Sequence, residues 1–437
     1  MHYKPKLFVF QYPVLKFRIF PGVIMIKNKE KTLQIFYYMF CILSVFTAVC
    51  EIPFAVFIGP VFMFAAFVLY SHYFGRNVSV DTVTVWFFVF TVAYSISVLN
   101  PARGIYYQIY VYLQAFLMFV MGCNAFSECK PSEKRKRLEV FFFVVSVMYF
   151  IYVSVTLVYY YTNTAHDLVE RFYYSFWYGQ EVVKPATVIV MMLVFPMTFG
   201  LYSIFFMKLP YKICGIIFDI GTIAFCFWSG SRTMLFFFPI LVAGTAFAYF
   251  IFVKKKIKPA IVFASSVAVL CAAVIVLAKV FKEQLYERFH DYGFYRIIDQ
   301  GFVSSLRNQY ALNVLKDFSV FYMGGGKHSA ELGTPHNIWL YLYDHGGFIP
   351  FFFYCIFTVL MVINGVKMLL SKKVELRMKF FVYIMFAVIL LEYFLEPFIL
   401  PLPSFYIMGL FLMGVITSEA RREPKKNKYR RYKKLKL

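Results

Sequence analysis

The chain has 437 residues, of which 61% are hydrophobic, 22% aromatic and only 15% charged, with a mean hydropathy of +0.68 and a formal net charge of +23. Soluble domains carry roughly 25% charged residues and about half apolar ones, so this composition excludes a water-soluble globular protein. A basic excess alone would suit nucleic acid, and where the basic residues fall decides what the charge is for.

Apolar runs of roughly 17–25 residues recur along the chain, each long enough to cross a ~30 Å hydrocarbon core as a helix. They fall near 33–50, 53–70, 82–99, 105–123, 140–161, 186–207, 213–229, 233–252, 259–280, 337–366, 380–398 and 402–417. Lipid offers no partner to a free backbone N–H or C=O, which favours helices. A β-barrel would instead show segments of about ten residues alternating in polarity, and Ile261 to Val280 does not alternate. The expected fold is all-α: one polytopic membrane domain over residues 1–437 with about 12 transmembrane helices.

The connections give a direction. With Lys4, Lys6, Lys16, Arg18, Lys27, Lys29 and Lys31 on the cytoplasmic side, alternation puts Arg76, Lys130–Arg137, Lys208, Lys212, Lys254–Lys258 and Lys367–Lys379 there too. The basic tail over residues 418–437 joins them, so most of the 45 Lys and Arg fall on one side. This is the positive-inside bias, with both termini cytoplasmic. The charge then reads as topology and as attraction to anionic membrane lipid, with no need for nucleic acid. The N-terminus lacks a small-residue cleavage site before the first long span, so no cleavable signal is expected. The eight cysteines lie in spans or at the inner face and form no CxxC pair, which argues against metal or disulfide roles.

Two outer loops are long, near 162–185 and at 281–336, the latter between the ninth and tenth spans. In Phe281–His290, Phe281, Leu285 and Phe289 repeat at four-residue spacing, predicting a helix at the membrane interface. Over Ser304–Phe318 a serine cap precedes Leu306, Tyr310, Val314, Leu315 and Phe318 on one face, predicting a second. Gly324–Gly326 then breaks regularity.

Four features on this face bear chemistry. Ser229-Gly230-Ser231-Arg232 joins two spans in a tight turn, where an arginine either meets an anion or snorkels to headgroups. Arg307 sits in the first turn of the loop helix, as an anion pocket beside free N–H groups or as a solvated surface residue. His336-Asn337 opens the tenth span; the imidazole can take a hydroxyl proton or simply bond at the boundary. The aromatic stretch Phe172–Tyr178 reads equally as sugar platform or interfacial belt.

In this order the features resemble the O-antigen ligase and O-antigen polymerase family of bacterial surface-polysaccharide assembly. That family shows a Ser-Arg turn between spans, a large outer loop with an arginine helix, a glycine-rich turn, and a His-Asn pair opening a helix. Here these are SGSR at Ser229–Arg232, SSLRNQYALNVL at Ser304–Leu315, MGGG at Met323–Gly326 and HNIWLYLYDHGGFIP at His336–Pro350. The specific part runs from Ala224 to Pro350. The chain departs from the pattern where an acidic residue often stands nine positions after the histidine: here it is His345, beside Asp344, and a second motif glycine is Pro350.

The resemblance implies a membrane glycosyltransferase, metal-independent and inverting, with no cofactor. Its donor would be an undecaprenyl-diphosphate-linked oligosaccharide and its acceptor a glycan hydroxyl, at the outer face of the bacterial cytoplasmic membrane. Flippase and chain-length regulator proteins would be its assembly partners. By analogy Arg232 and Arg307 hold the diphosphate, His336 takes or orients the acceptor proton, and Ser231 and Asn337 contact substrate; Arg288 and Arg296, in the large loop, are reserve candidates for glycan or phosphate contact. Polymerisation of lipid-linked repeat units is the favoured reaction. The alternative is a ligase transferring the glycan to lipid A–core, and a lipid-linked oligosaccharide flippase is the rival of another class. A flippase needs cations at mid-membrane positions, which the span centres nearly lack. Asp219 in the seventh span, and Glu392 and Glu396 at the outer end of the eleventh, read as structural polar partners.

Overall fold

The computed structural model describes residues 15–17, 27–49, 55–69, 78–97, 105–126, 129, 131–163, 172–177, 179–229, 232–289, 305–328, 337–395 and 403–421. Its elements are almost all helices: α1 (Lys27–Val49), α2 (Ala55–Val68), α3 (Thr82–Ser97), α4 (Ile105–Asn124), α5 (Pro131–Asn163), α6 (Ala186–Met192), α7 (Val194–Phe206) and α8 (Leu209–Ser229) come first. There follow α9 (Arg232–Ala248, running into a π turn over Tyr249–Val253), α10 (Ile257–Val280), α11 (Lys282–Phe289), α12 (Ser305–Lys316) and α13 (Phe318–Met323). The last are α14 (Ile338–Gly346), α15 (Phe348–Leu370), α16 (Leu376–Leu395) and α17 (Pro403–Ala420).

Among the described residues, six helical stretches are long and apolar enough to cross a membrane: Ser132–Tyr160, Val188–Phe206, Leu209–Ser229, Ile257–Leu277, Phe348–Leu370 and Leu376–Leu395. Shorter apolar helices coincide with further expected spans, at Ile35–Thr47, Thr82–Ser97, Val111–Asn124, Phe238–Val253 and Ser404–Ala420. The chain is thus a helical, membrane-type protein.

The fold is all-α, as expected, with two short antiparallel strand pairs beside the helices: β1 (Leu15–Phe17) with β2 (Val78–Val80), and β3 (Phe172–Ser175) with β4 (Gly179–Pro185). The aromatic stretch from Phe172 is therefore one arm of a hairpin, as its strand-favouring residues allow, with Tyr173 opposite Lys184. The apolar run 337–366 is two helices, α14 and α15, separated at Gly347, whose φ of +79° suits glycine and ends the first helix.

The core is built on two helices buried almost all round, α7 and α17. Burial on every side explains why neither shows a polar stripe. α17 lies directly on α4: a Cβ at Gly414 would fall 2.2 Å from Phe119 O, and one at Gly122 2.1 Å from Phe411 O. Helices associate in lipid through such small residues, because lipid removes the hydrophobic drive to cluster. At the other extreme α10 is nearly all exposed, with Val262, Val269 and Leu270 facing outward, as suits a helix bathed in lipid.

Ion pairs collect at one end of the bundle. Lys134, opening α5, pairs with Glu419 near the end of α17, both side chains only 2% exposed. Arg421 meets Asp81, the residue before α3, at 2.5 Å. Arg135 meets Glu375, just before α16, at 3.0 Å. Tyr202, late in α7, donates to Glu139 at 2.5 Å. The β1–β2 pair brings Lys16 to the same side of α3 as Asp81. Segments that alternation groups together in the sequence thus meet each other in space.

Candidate functional site

At the opposite end of the bundle the pieces α12, α13, the glycine run and α14 form one module. Tyr310, one turn after Arg307 on α12, donates from its phenol to Asp344 Oδ2 at 2.8 Å. Asp344 is fully buried, and a carboxylate so placed is costly unless donors surround it. A second donor is the backbone N–H of His328, 3.4 Å from Oδ1. Tyr310, Val314 and Val320 make a small apolar cluster against Leu340 and Tyr343, so α12 and α13 rest on the face of α14.

The glycine run closes the module. Gly325 N donates to His345 O at 3.0 Å and Gly326 N to Asp344 O at 2.8 Å, capping the last carbonyls of α14. Gly324 has φ +58°, and a Cβ there would lie 2.5 Å from His345 O. Glycine suits Gly324 because its backbone lies against that of α14, and it suits all three positions because each takes a positive φ.

Asp317 caps α13, accepting from Ser319 N at 3.0 Å and Ser319 Oγ at 2.6 Å. Its other oxygen faces Lys327 Nζ at 3.2 Å and His328 Nε2 at 3.0 Å. The Ser319 hydrogen bonds, with Lys327 and His328 beside them, hold its carboxyl well below the usual carboxylate range. An ionised carboxylate only accepts, so His328 Nε2 is the donor to Asp317 Oδ2. The remaining ring nitrogen, Nδ1, is buried and meets no partner.

Asn337 opens α14 as its cap: Oδ1 accepts from Trp339 N at 3.0 Å and Leu340 N at 3.1 Å. This leaves the amide Nδ2 to donate to Phe394 O at 3.4 Å. Trp339 packs on Phe394 with ring centroids 4.5 Å apart. The start of α14 is thereby fixed to the end of α16, which also touches α9. Glu392 lies buried just below, in α16.

No protein-family model matches the chain, and no curated protein matches it either.

Of the candidates named from sequence, Arg232 opens α9, Arg307 stands in the first turn of α12, and Arg288 lies in α11. The side chains of these three lie outside the described part, as do the residues Ser231, Arg296 and His336 and the acidic Glu396. Asn337 is a helix cap and joins α14 to α16. Asp344 engages Tyr310 and the glycine turn, while His345 Nδ1 lies 3.1 Å from Tyr341 O and its ring stacks on Tyr341 at 4.0 Å. Asp219 is buried in α8 with Oδ1 lacking a hydrogen-bond partner, close enough to α7 that a Cβ at Gly200 would touch it. Among the described residues, no group of three His, Cys, Asp or Glu converges to hold a metal.

Asp317 and His328 are not among the residues the sequence marks, and Tyr310 stands there only as a member of an apolar face. A signal was available for Asp317, an aspartate standing at the break between two helical patterns. Nothing local marks Tyr310 as the partner of a residue 34 positions on.

Proposed function

We propose that this chain is a membrane glycosyltransferase that polymerises undecaprenyl-diphosphate-linked oligosaccharide repeat units into a surface polysaccharide. It works at the outer face of a bacterial cytoplasmic membrane, with twelve spans and cytoplasmic termini. The carrying observation is that three motif segments which follow one another in the sequence pack as one unit. The arginine helix α12, the glycine turn Gly324–Gly326 and the His-Asn helix α14 are joined through Tyr310–Asp344 and the Gly325 and Gly326 N–H bonds. Packed together, they bring the segments that bear Arg307, the glycine turn and Asn337 to one end of the bundle.

In the reaction, the acceptor hydroxyl oxygen forms a bond to the anomeric carbon while the bond from that carbon to the diphosphate oxygen breaks. The hydroxyl proton passes to His336 or to a base that His336 orients, and the electron pair leaves on the diphosphate. Developing charge on the leaving group needs fixed cations. Arginine suits this because its planar fork pairs with two phosphate oxygens and stays charged. Arg232 and Arg307 take that role, and displacement from the opposite face inverts the anomeric centre. Ser231, Arg288 and Arg296 contact glycan or phosphate, and Asn337 sets the helix that follows His336.

The test incubates purified protein in lipid with a lipid-linked repeat unit, with and without lipid A–core. Longer lipid-linked ladders support polymerisation, and glycan on the core makes the enzyme a ligase. No glycosidic product from folded protein and a matched repeat unit would overturn the reading.

A further inference from the structure

The end of the bundle that carries the ion pairs holds a second feature, unrelated to the proposed transfer. Between α15 and α16 runs an open groove of about 180 Å³, floored by Gly365 and Phe386 and walled by Val362, Val366, Tyr383 and Leu390. Its outer walls, Val362, Val366 and Tyr383, are exposed and apolar or aromatic, and Lys379 is the one charged residue lining it. The stretch from Lys379 to Leu390 rises about 16 Å at 1.5 Å per residue. This matches the ~15 Å depth of one leaflet.

The turn joining α15 to α16, a few residues before Lys379, presents exposed Lys372 and Lys373, while Arg377 lies over the Phe206 ring of α7. The nearby acid, Glu375, is engaged by Arg135 at 3.0 Å and so does little to neutralise them. Lys379 Nζ donates to Leu369 O at 2.7 Å, which fixes the ammonium at the groove's edge with two further protons to offer.

We propose that this groove is a binding site for an anionic phospholipid, with one acyl chain along α16 and the headgroup phosphate on Lys379 and Lys372. Apolar length sets how deep the chain reaches, and the basic turn selects the charge. Zwitterionic lipid satisfies the first requirement and gains less from the second.

The full chain, purified in detergent and stripped of lipid, is offered phosphatidylglycerol or phosphatidylcholine of the same acyl length and weighed by native mass spectrometry. The expected result is about tenfold tighter retention of phosphatidylglycerol, collapsing toward parity in the Lys372→Gln/Lys379→Gln variant. A photo-crosslinking amino acid at position 383 gives the second measurement: it should capture a tail-labelled lipid. Equal retention of both lipids by the unaltered chain overturns the proposal. So does a crosslink at 383 that joins two copies of the chain and captures no lipid.

Discussion

The phenol of Tyr310 donates a 2.8 Å hydrogen bond to Oδ2 of Asp344, tying the arginine helix to the C-terminal half of α14. Because Asp344 is fully buried, this donor helps keep a carboxylate tolerable where water cannot reach. Tyr310→Phe should therefore cost about 1–3 kcal/mol, the range for leaving a buried acceptor short of a partner. Asp344→Leu removes the acceptor itself, so Tyr310→Phe should add little on that background. Thermal unfolding of the two single variants and the double variant in detergent checks this; strictly additive losses would show that the two side chains do not interact.

The glycine turn offers a paired comparison. Gly324→Ala and Gly325→Ala both place a side chain at positive φ, +58° and +90°. Only at position 324 does the new Cβ collide with backbone, at His345 O; at 325 nothing lies within 4 Å. Gly325→Ala should cost on the order of 1 kcal/mol from backbone strain, and Gly324→Ala clearly more. Limited proteolysis of the segments around α12 and α13 should separate them in that order.

Asp317 couples the module to pH. Its carboxyl is depressed by the Ser319 hydrogen bonds first, then by Lys327 and His328. A depressed carboxyl contributes stability that is present above the ordinary carboxylate range and is lost as pH falls through the folded value. Melting curves taken from neutral pH downward should show that loss deep in the acid range. The Asp317→Asn variant should melt lower at neutral pH and vary less with acid; an unchanged acid slope would refute the assignment.

At the other end, Lys134 and Glu419 form an ion pair with both side chains 2% exposed. Removing one partner strands a buried charge and typically costs about 3–5 kcal/mol. Lys134→Met should therefore impair folding severely, and Lys134→Met/Glu419→Gln should recover much of the loss. The yield of monodisperse protein after detergent extraction reports both.

For the transfer itself, Arg232→Ala, Arg307→Ala and His336→Ala should each abolish product while membrane insertion persists. Losing a donor aimed at developing charge costs roughly 100-fold or more in kcat. Retained activity in all three would remove these residues from the mechanism.

The helices were legible because a bilayer demands long apolar runs, and such runs survive reading in isolation. The break at Gly347 was not: Asp344-His345-Gly346-Gly347 interrupts the run for only four residues, and apolar residues resume at Phe348, so the two pieces read as one long span. The hairpin beginning at Phe172 was hidden for a similar reason: an aromatic stretch at the edge of lipid looks like a belt whether or not it pairs with β4. In the site, order along the chain suggested that α12 and α14 belong together. The bonds that join them, a tyrosine phenol to a distant aspartate and two glycine N–H groups to helix carbonyls, depend on approach in space and leave no local pattern.

The contact of α17 with α4 has a consequence in time. Cys123 at the end of α4 and Arg421 at the end of α17 touch across 298 residues of chain. At synthesis rates of about 5–20 residues per second, α4 waits roughly 15–60 s in the bilayer before its partner exists. During that interval the face around Gly122 is open to any helix with a small-residue surface. Every helix made in the meantime has to leave that seat empty.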